Sequence, residues 1–206
     1  MINFINKLIS KQYKKPTGLM GMIATKVMNK QNQRLYKCIL NNINLEMNNT
    51  ILDIGFGNGF LINEFLKTNI PLKIHGIDIS NDMVKHVSIR HKNKIQNGDL
   101  TLSCQSIEKT NFEDNSFDRI FTVNTLYFWN DYPKCFTEIK RILKPNGVFL
   151  NVFYSKVFMD TLPLADYEFN KFTLDEIKEM TIQNGMKILE TIEIVRGKAY
   201  CVIAKL

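Results

Sequence analysis

Residues 51–60 read ILDIGFGNGF: an apolar run, one carboxylate at Asp53, then glycines at every second position, Gly55, Gly57 and Gly59. A buried strand running into such a turn is a ligand-binding signature of open α/β sheets, whose ligands sit beyond the carboxyl ends of the strands. Glycine lets the backbone approach a ligand with no side chain between them. A dinucleotide fingerprint needs its third glycine three residues after the second, and that position holds Phe60. A phosphate-binding P-loop needs a Gly-Lys-Ser/Thr ending that does not occur here. Asp53, two residues before the first glycine, suits a cation better than a pyrophosphate, which points to a ligand carrying an ammonium group.

Outward from this stretch, short apolar runs alternate with amphipathic segments. Strands are expected at residues 50–54, 72–79, 99–104, 119–124 and 148–154, with helices at 58–67, 81–91 and 132–143. Ser80 is a good N-cap, and Lys144-Pro-Asn-Gly147 is expected to stop a helix and turn the chain. Thr173 and Glu176 form a capping box for a helix ending at Asn184-Gly185. The last two runs, 186–195 and 199–205, are joined by Arg196-Gly-Lys198 and read as an antiparallel hairpin. The fold class is α/β: a Rossmann-like, seven-stranded, mostly parallel sheet with helices on both faces and a C-terminal antiparallel hairpin.

Residues 1–49 lie outside the alternation and are expected to form a helical lid or extension, leaving 50–206 as the ligand-binding domain. Ile2, Ile5 and Ile9 with Phe4 and Leu8 indicate a short amphipathic helix, and residues 26–43 another with Val27, Leu35, Ile39 and Leu40 inward. Lys14-Lys15-Pro-Thr-Gly-Leu-Met-Gly21 has the turn and glycines of a segment that opens for exchange. The chain's net charge is +7, and its first 45 residues hold eight Lys or Arg and no acid. Such a stretch attracts anionic partners, nucleic acid and lipid among them, or covers an anionic substrate.

With 206 residues, 45% of them hydrophobic, the chain is long enough for one domain with a real core. No apolar run reaches the length of a membrane span. Cys38, Cys104, Cys135 and Cys201 are widely spaced, which favours a reduced, cytoplasmic compartment and no structural zinc. His75, His86 and His91 are not at metal-ligand spacing, so no metal is expected; the last two lie in a basic, solvated helix face.

DIGFGNG resembles the first motif of class I S-adenosylmethionine-dependent methyltransferases, D/E-x-G-x-G-x-G. The broad group containing the ubiquinone- and menaquinone-biosynthesis methyltransferases is the most similar. GIDIS, ending the second strand at Asp78-Ile79, resembles the place of the acid that binds both ribose hydroxyls, and Met83 stands where an apolar side chain packs on adenine. FEDNSFD and EIKRILKPNG resemble the segments before the fourth and fifth strands.

The resemblance implies S-adenosylmethionine as methyl donor, S-adenosylhomocysteine as product, and donor contacts from Asp53, Gly55, Gly57, Gly59, Asp78, Ile79, Met83 and Asn124. Ser106 stands where many relatives carry an Asp on the adenine amino group, leaving Gln105, Ser106 and Ile107 to offer backbone groups and a hydroxyl. The aromatic run Tyr127-Phe128-Trp129 is the expected acceptor wall, with Tyr127 first for a polar role. No side chain is assigned as a catalytic acid or base. Asn124 to Trp129 (NTLYFW) lacks the prolines of base-amino methyltransferases, so a small-molecule acceptor ranks first. RNA or protein recruited by the basic arm, and a non-catalytic donor-binding partner protein, are the alternatives.

Overall fold

The computed structural model describes residue 12, residues 14–162 and residues 169–206. The helix expected around Ile2 to Ile9 lies outside them. In chain order the elements are α1 (Gly18–Gln31), α2 (Gln33–Asn42), β1 (Thr50–Ile54), α3 (Phe60–Leu66), β2 (Lys73–Asp78), α4 (Asn81–Arg90), α5 (Lys92–Gln96) and β3 (Leu100–Cys104). There follow β4 (Phe117–Val123), a 3₁₀ turn (Leu126–Phe128), α6 (Tyr132–Ile142), β5 (Leu143–Tyr154), α7 (Lys156–Met159), α8 (Leu174–Gln183), β6 (Lys187–Val195) and β7 (Ala199–Lys205).

The seven strands form one sheet in the order β3-β2-β1-β4-β5-β7-β6. β1 to β5 pair in parallel, and β7 runs antiparallel to both β5 and β6. The strand order reverses at β1, whose neighbours are β2 and β4. The carboxyl ends of these three strands therefore open a crevice over the sheet.

Strand alternation sorts the core into two layers. Leu52, Ile54 and Ile120 face the layer filled by Phe136 and Ile139 of α6 and Ile177 of α8. Ile51, Phe121 and Leu150 face Leu35 and Ile39 of α2, Phe65 of α3 and Val87 of α4. Both faces are covered, which is why β1 and β4 read as nearly continuous apolar runs. Phe121 is fully buried, and truncating such a side chain to alanine costs about 3–5 kcal/mol.

Two expectations need correction. The helix read at 26–43 is two helices, because Asn32 leaves the helical backbone at φ −87°, ψ 2°. Its carbonyl accepts from Tyr36 N to start α2, while its side chain is engaged across the molecule. Within the stretch before β1, α2 packs into the core layer, and α1 with residues 14–17 lies over the strand ends. Finally, Lys144-Pro-Asn-Gly147 lies inside β5. Phe117 pairs with Leu143 and Arg119 with Val148, so the extra residues are accommodated as a register shift.

The capping box at α8 is present as read, with Thr173 Oγ1 accepting from Glu176 N and Glu176 Oε2 accepting from Thr173 N. Thr173→Ala is expected to cost about 1 kcal/mol, read as a lowered midpoint in urea unfolding. Among the described residues no helix is long and apolar enough to cross a membrane, and no cluster of metal-ligating side chains occurs.

Candidate active site

The three glycines of the opening stretch all have positive φ, 72° at Gly55, 54° at Gly57 and 74° at Gly59, but each is required for a different reason. A Cβ at Gly55 would overlap Thr125 Cγ2, and one at Gly59 would lie 2.9 Å from Val87 Cγ1. A Cβ at Gly57 would meet no protein atom within 4 Å, because this glycine faces a cavity. Gly55 and Gly59 therefore serve packing, and Gly57 keeps room for a ligand.

Asp78 ends β2 beside this loop. Its Oδ2 accepts from Gly57 N and its Oδ1 from Ser80 N, both at 2.8 Å. Burial raises its carboxyl above the ordinary range, and the two N–H donors oppose that shift. Asp53, on the adjacent strand, is 4% exposed and accepts no hydrogen bond from any described residue. Burial, and secondarily the Asp78 charge, hold its carboxyl well above the carboxylate range.

The sign of the linkage follows. Below the unfolded value of about 3.9 both folded and unfolded states hold the proton. Above it the unfolded chain releases its proton first, so Asp53 lowers stability as pH rises toward its folded pKa. Asp53→Asn is expected to raise the melting temperature at pH 7 in the free protein, measured by calorimetry. An ammonium group beside Asp53 would relieve the same penalty.

The cavity over the strand ends has a volume of about 550 Å³. Of the residues singled out in the sequence, Gly55, Gly57, Asp78, Ile79, Ser106, Ile107, Asn124, Tyr127, Phe128 and Trp129 line it. Asp53, Gly59, Met83 and Gln105 are not among its walls. Met83 is 1% exposed and packs in the core layer with Val87, whereas Ile79 faces the cavity. Gln105 fastens its own loop, donating to Ser103 Oγ at 2.7 Å and accepting from Asn111 N at 2.8 Å.

Asn124 is the centre of a polar network. Its φ of 59° is a left-handed conformation that asparagine tolerates better than most residues. Its Nδ2 donates to Asn32 Oδ1 at 2.9 Å, and its Oδ1 lies 3.0 Å from the Tyr127 hydroxyl. That hydroxyl accepts from Tyr154 N and has Tyr154 O at 3.0 Å as its other partner. Tyr127 is thus a clasp between the ends of β4 and β5. Burial pushes its phenol well above the ordinary value, which removes it as a proton acceptor near neutrality.

Sequence reading expected a lid at residues 14–21 but missed most of the walls that come from afar. Pro16, Asn29, Asn32 and Tyr36 close the cavity from the N-terminal side, and Tyr154, Phe158, Met159, Leu162 and Phe169 extend its aromatic end. Pro16 is held through its carbonyl, which accepts from Ser80 Oγ; Gly18 N donates to Asp82 Oδ2 at 3.0 Å. Asn29 Nδ2 reaches Asn58 Oδ1 of the glycine loop at 3.2 Å. Tyr154 and Phe158 meet in a tilted contact at 4.6 Å, and Phe128 meets Phe169 at 4.9 Å. The only local signals were the density of asparagine and the aromatic residues after β5.

A methyltransferase domain family matches residues 52–151. The uncharacterized methyltransferase YdaC of Bacillus subtilis is 34% identical over 126 residues, covering 61% of this chain and 67% of YdaC. Phosphoethanolamine N-methyltransferase 2 of Caenorhabditis elegans is 31% identical over 107 residues, 52% of this chain and 24% of that protein. Among solved structures, a SAM-dependent methyltransferase from Aquifex aeolicus superposes with a TM-score of 0.73 at 23% identity, covering 87% of this chain and 95% of that one. The chain belongs to the class I S-adenosylmethionine-dependent methyltransferases, and S-adenosylmethionine is its cofactor. The residues present fit that cofactor: Gly57 leaves a cradle that a Cβ would fill, and the Asp78 carboxyl lines the same cavity.

Proposed function

We propose that this methyltransferase acts on a small, largely apolar acceptor held in the aromatic end of the cavity. The observation that carries this reading is continuity: one space of about 550 Å³ runs from Asp78 and Gly57 to Phe158 and Phe169. Its size falls within the range of about 300–1,000 Å³ common for small-ligand sites, and its far end is walled by carbon.

In this reading Asp78 accepts from the ribose hydroxyls, the Ser106-Ile107 turn meets the adenine edge, and Asp53 faces the ammonium end. The cofactor supplies a methyl group already activated by a sulfonium charge. What the protein adds is alignment and exclusion of water, the two effects that govern an in-line displacement. Asn32 and Asn124 fix the strand ends between the two halves, while Phe128 and Trp129 present rings to the acceptor and tolerate positive charge nearby. Residues 14–31 act as the lid, fastened through Pro16, Gly18 and Asn29 to α4 and the glycine loop.

The basic N-terminal stretch favours one rival, an RNA acceptor recruited by charge. Incubation with methyl-labelled S-adenosylmethionine and separated cell fractions distinguishes them. Label in the organic-extractable, low-mass fraction is expected; label confined to RNA or protein overturns the small-molecule reading.

A further inference from the structure

Glu108 follows the turn at Ser106-Ile107 and lines the same cavity, yet nothing in the donor or acceptor assignments uses it. Its Oε1 accepts from both Asn130 N and Asn130 Nδ2, each at 3.0 Å. Asn130 directly follows Trp129 at the aromatic wall. Among the described residues, these are the hydrogen bonds that join the loop after β3 to the wall after β4.

The surroundings make this link directional. The root of the β3 loop is rigid: Gln105 Oε1 accepts from Asn111 N, and Thr110 N donates to Glu138 Oε1 at 2.8 Å. Glu138 is itself gripped by Arg141, whose guanidinium beside it, with help from Thr110, holds its carboxyl at about 2. The lip at 106–109 lies between this root and Asn130. It is a tight turn in which Lys109 N donates to Ser106 O at 3.3 Å and Glu108 N to Ser106 Oγ at 3.3 Å. A ligand that orders Ser106 and Ile107 therefore orders Glu108 next. A carboxylate oxygen receiving two N–H donors is a strong, geometrically defined handle on Asn130.

We propose that Glu108 is a positioning residue that couples the two halves of the cavity, so that donor binding at Ser106-Ile107 orders the acceptor wall at Tyr127 to Asn130. This rests on the donor placement given above. It makes productive binding ordered, donor before acceptor, and by linkage the acceptor tightens the donor to the same degree.

Hydrogen exchange over residues 126–132, with and without S-adenosylhomocysteine, tests the coupling, with calorimetry scoring binding separately. The wild type is expected to show slowed exchange on binding. Glu108→Gln keeps an oxygen acceptor and should retain the slowing; Glu108→Ala should bind the product yet lose it. A merely structural brace would raise exchange in both states and leave the ligand-dependent difference intact, so an unchanged difference in Glu108→Ala overturns the proposal. Wild-type binding without slowing overturns the coupling alone, whereas no binding at all overturns the donor placement and the coupling with it. Should Glu108→Ala melt below the assay temperature, Asn130→Ala removes one of the two bonds, and a difference left undiminished there is equally contrary.

Discussion

Asp78→Ala is expected to abolish useful affinity for S-adenosylmethionine and S-adenosylhomocysteine. Two hydrogen bonds to a charged acceptor, at about 1.5–3 kcal/mol each, correspond to roughly two to four orders of magnitude in dissociation constant. The substitution also strips the acceptor from Gly57 N and Ser80 N, which are bonded to its two oxygens in the folded protein. Leaving buried donors unpaired costs about 1–3 kcal/mol apiece, so a lower melting temperature should accompany the lost affinity. Asp78→Asn keeps one carbonyl oxygen and should fall between the two in both measurements. Titration calorimetry well below the melting temperature separates binding from folding.

The second large effect is a contrast between neighbouring glycines. Gly55→Ala drives a methyl group into Thr125 at a φ of 72°. Left-handed strain of about 1–2 kcal/mol adds to overpacking of about 1–3 kcal/mol, and the fold itself should suffer. Gly57→Ala meets no protein atom at a φ of 54°, so beyond the same left-handed strain its cost falls on the ligand, whose cradle it fills. The expected pattern is a strongly lowered melting temperature for Gly55→Ala, and a milder drop with lost donor binding for Gly57→Ala. Equal behaviour of the two variants in melting and in binding would contradict the separate roles assigned to them.

The parts of the site legible in the sequence are those whose geometry is local. A strand, three glycines and a carboxylate two residues upstream are contiguous, so the turn and its positive-φ backbone were legible, whereas the packing of Gly55 on Thr125 and of Gly59 on Val87 was not. Asp78 and Ser80 were equally legible, since an acid at a strand end and a cap at the next helix act within three residues. Met83 by residue type fits both a ligand wall and a core, and its packing against Val87 and its neighbours was not legible in the sequence. Tyr127 was read for its hydroxyl, yet that hydroxyl is committed to Tyr154, which is 27 residues away. The break at Asn32 depends on Asn124, which lies 92 residues further on. No local pattern announces such partners, so the residues by which the expected N-terminal lid closes the cavity emerged only from the fold.

The most direct measurement is the structure of the protein with S-adenosylhomocysteine bound. The account predicts one ligand in the cavity over the strand ends, its ribose on Asp78, its adenine edge at the Ser106-Ile107 turn and its ammonium group toward Asp53, with space left before Phe128 and Phe169. A ligand bound elsewhere, or a ribose that makes no contact with Asp78, would contradict it.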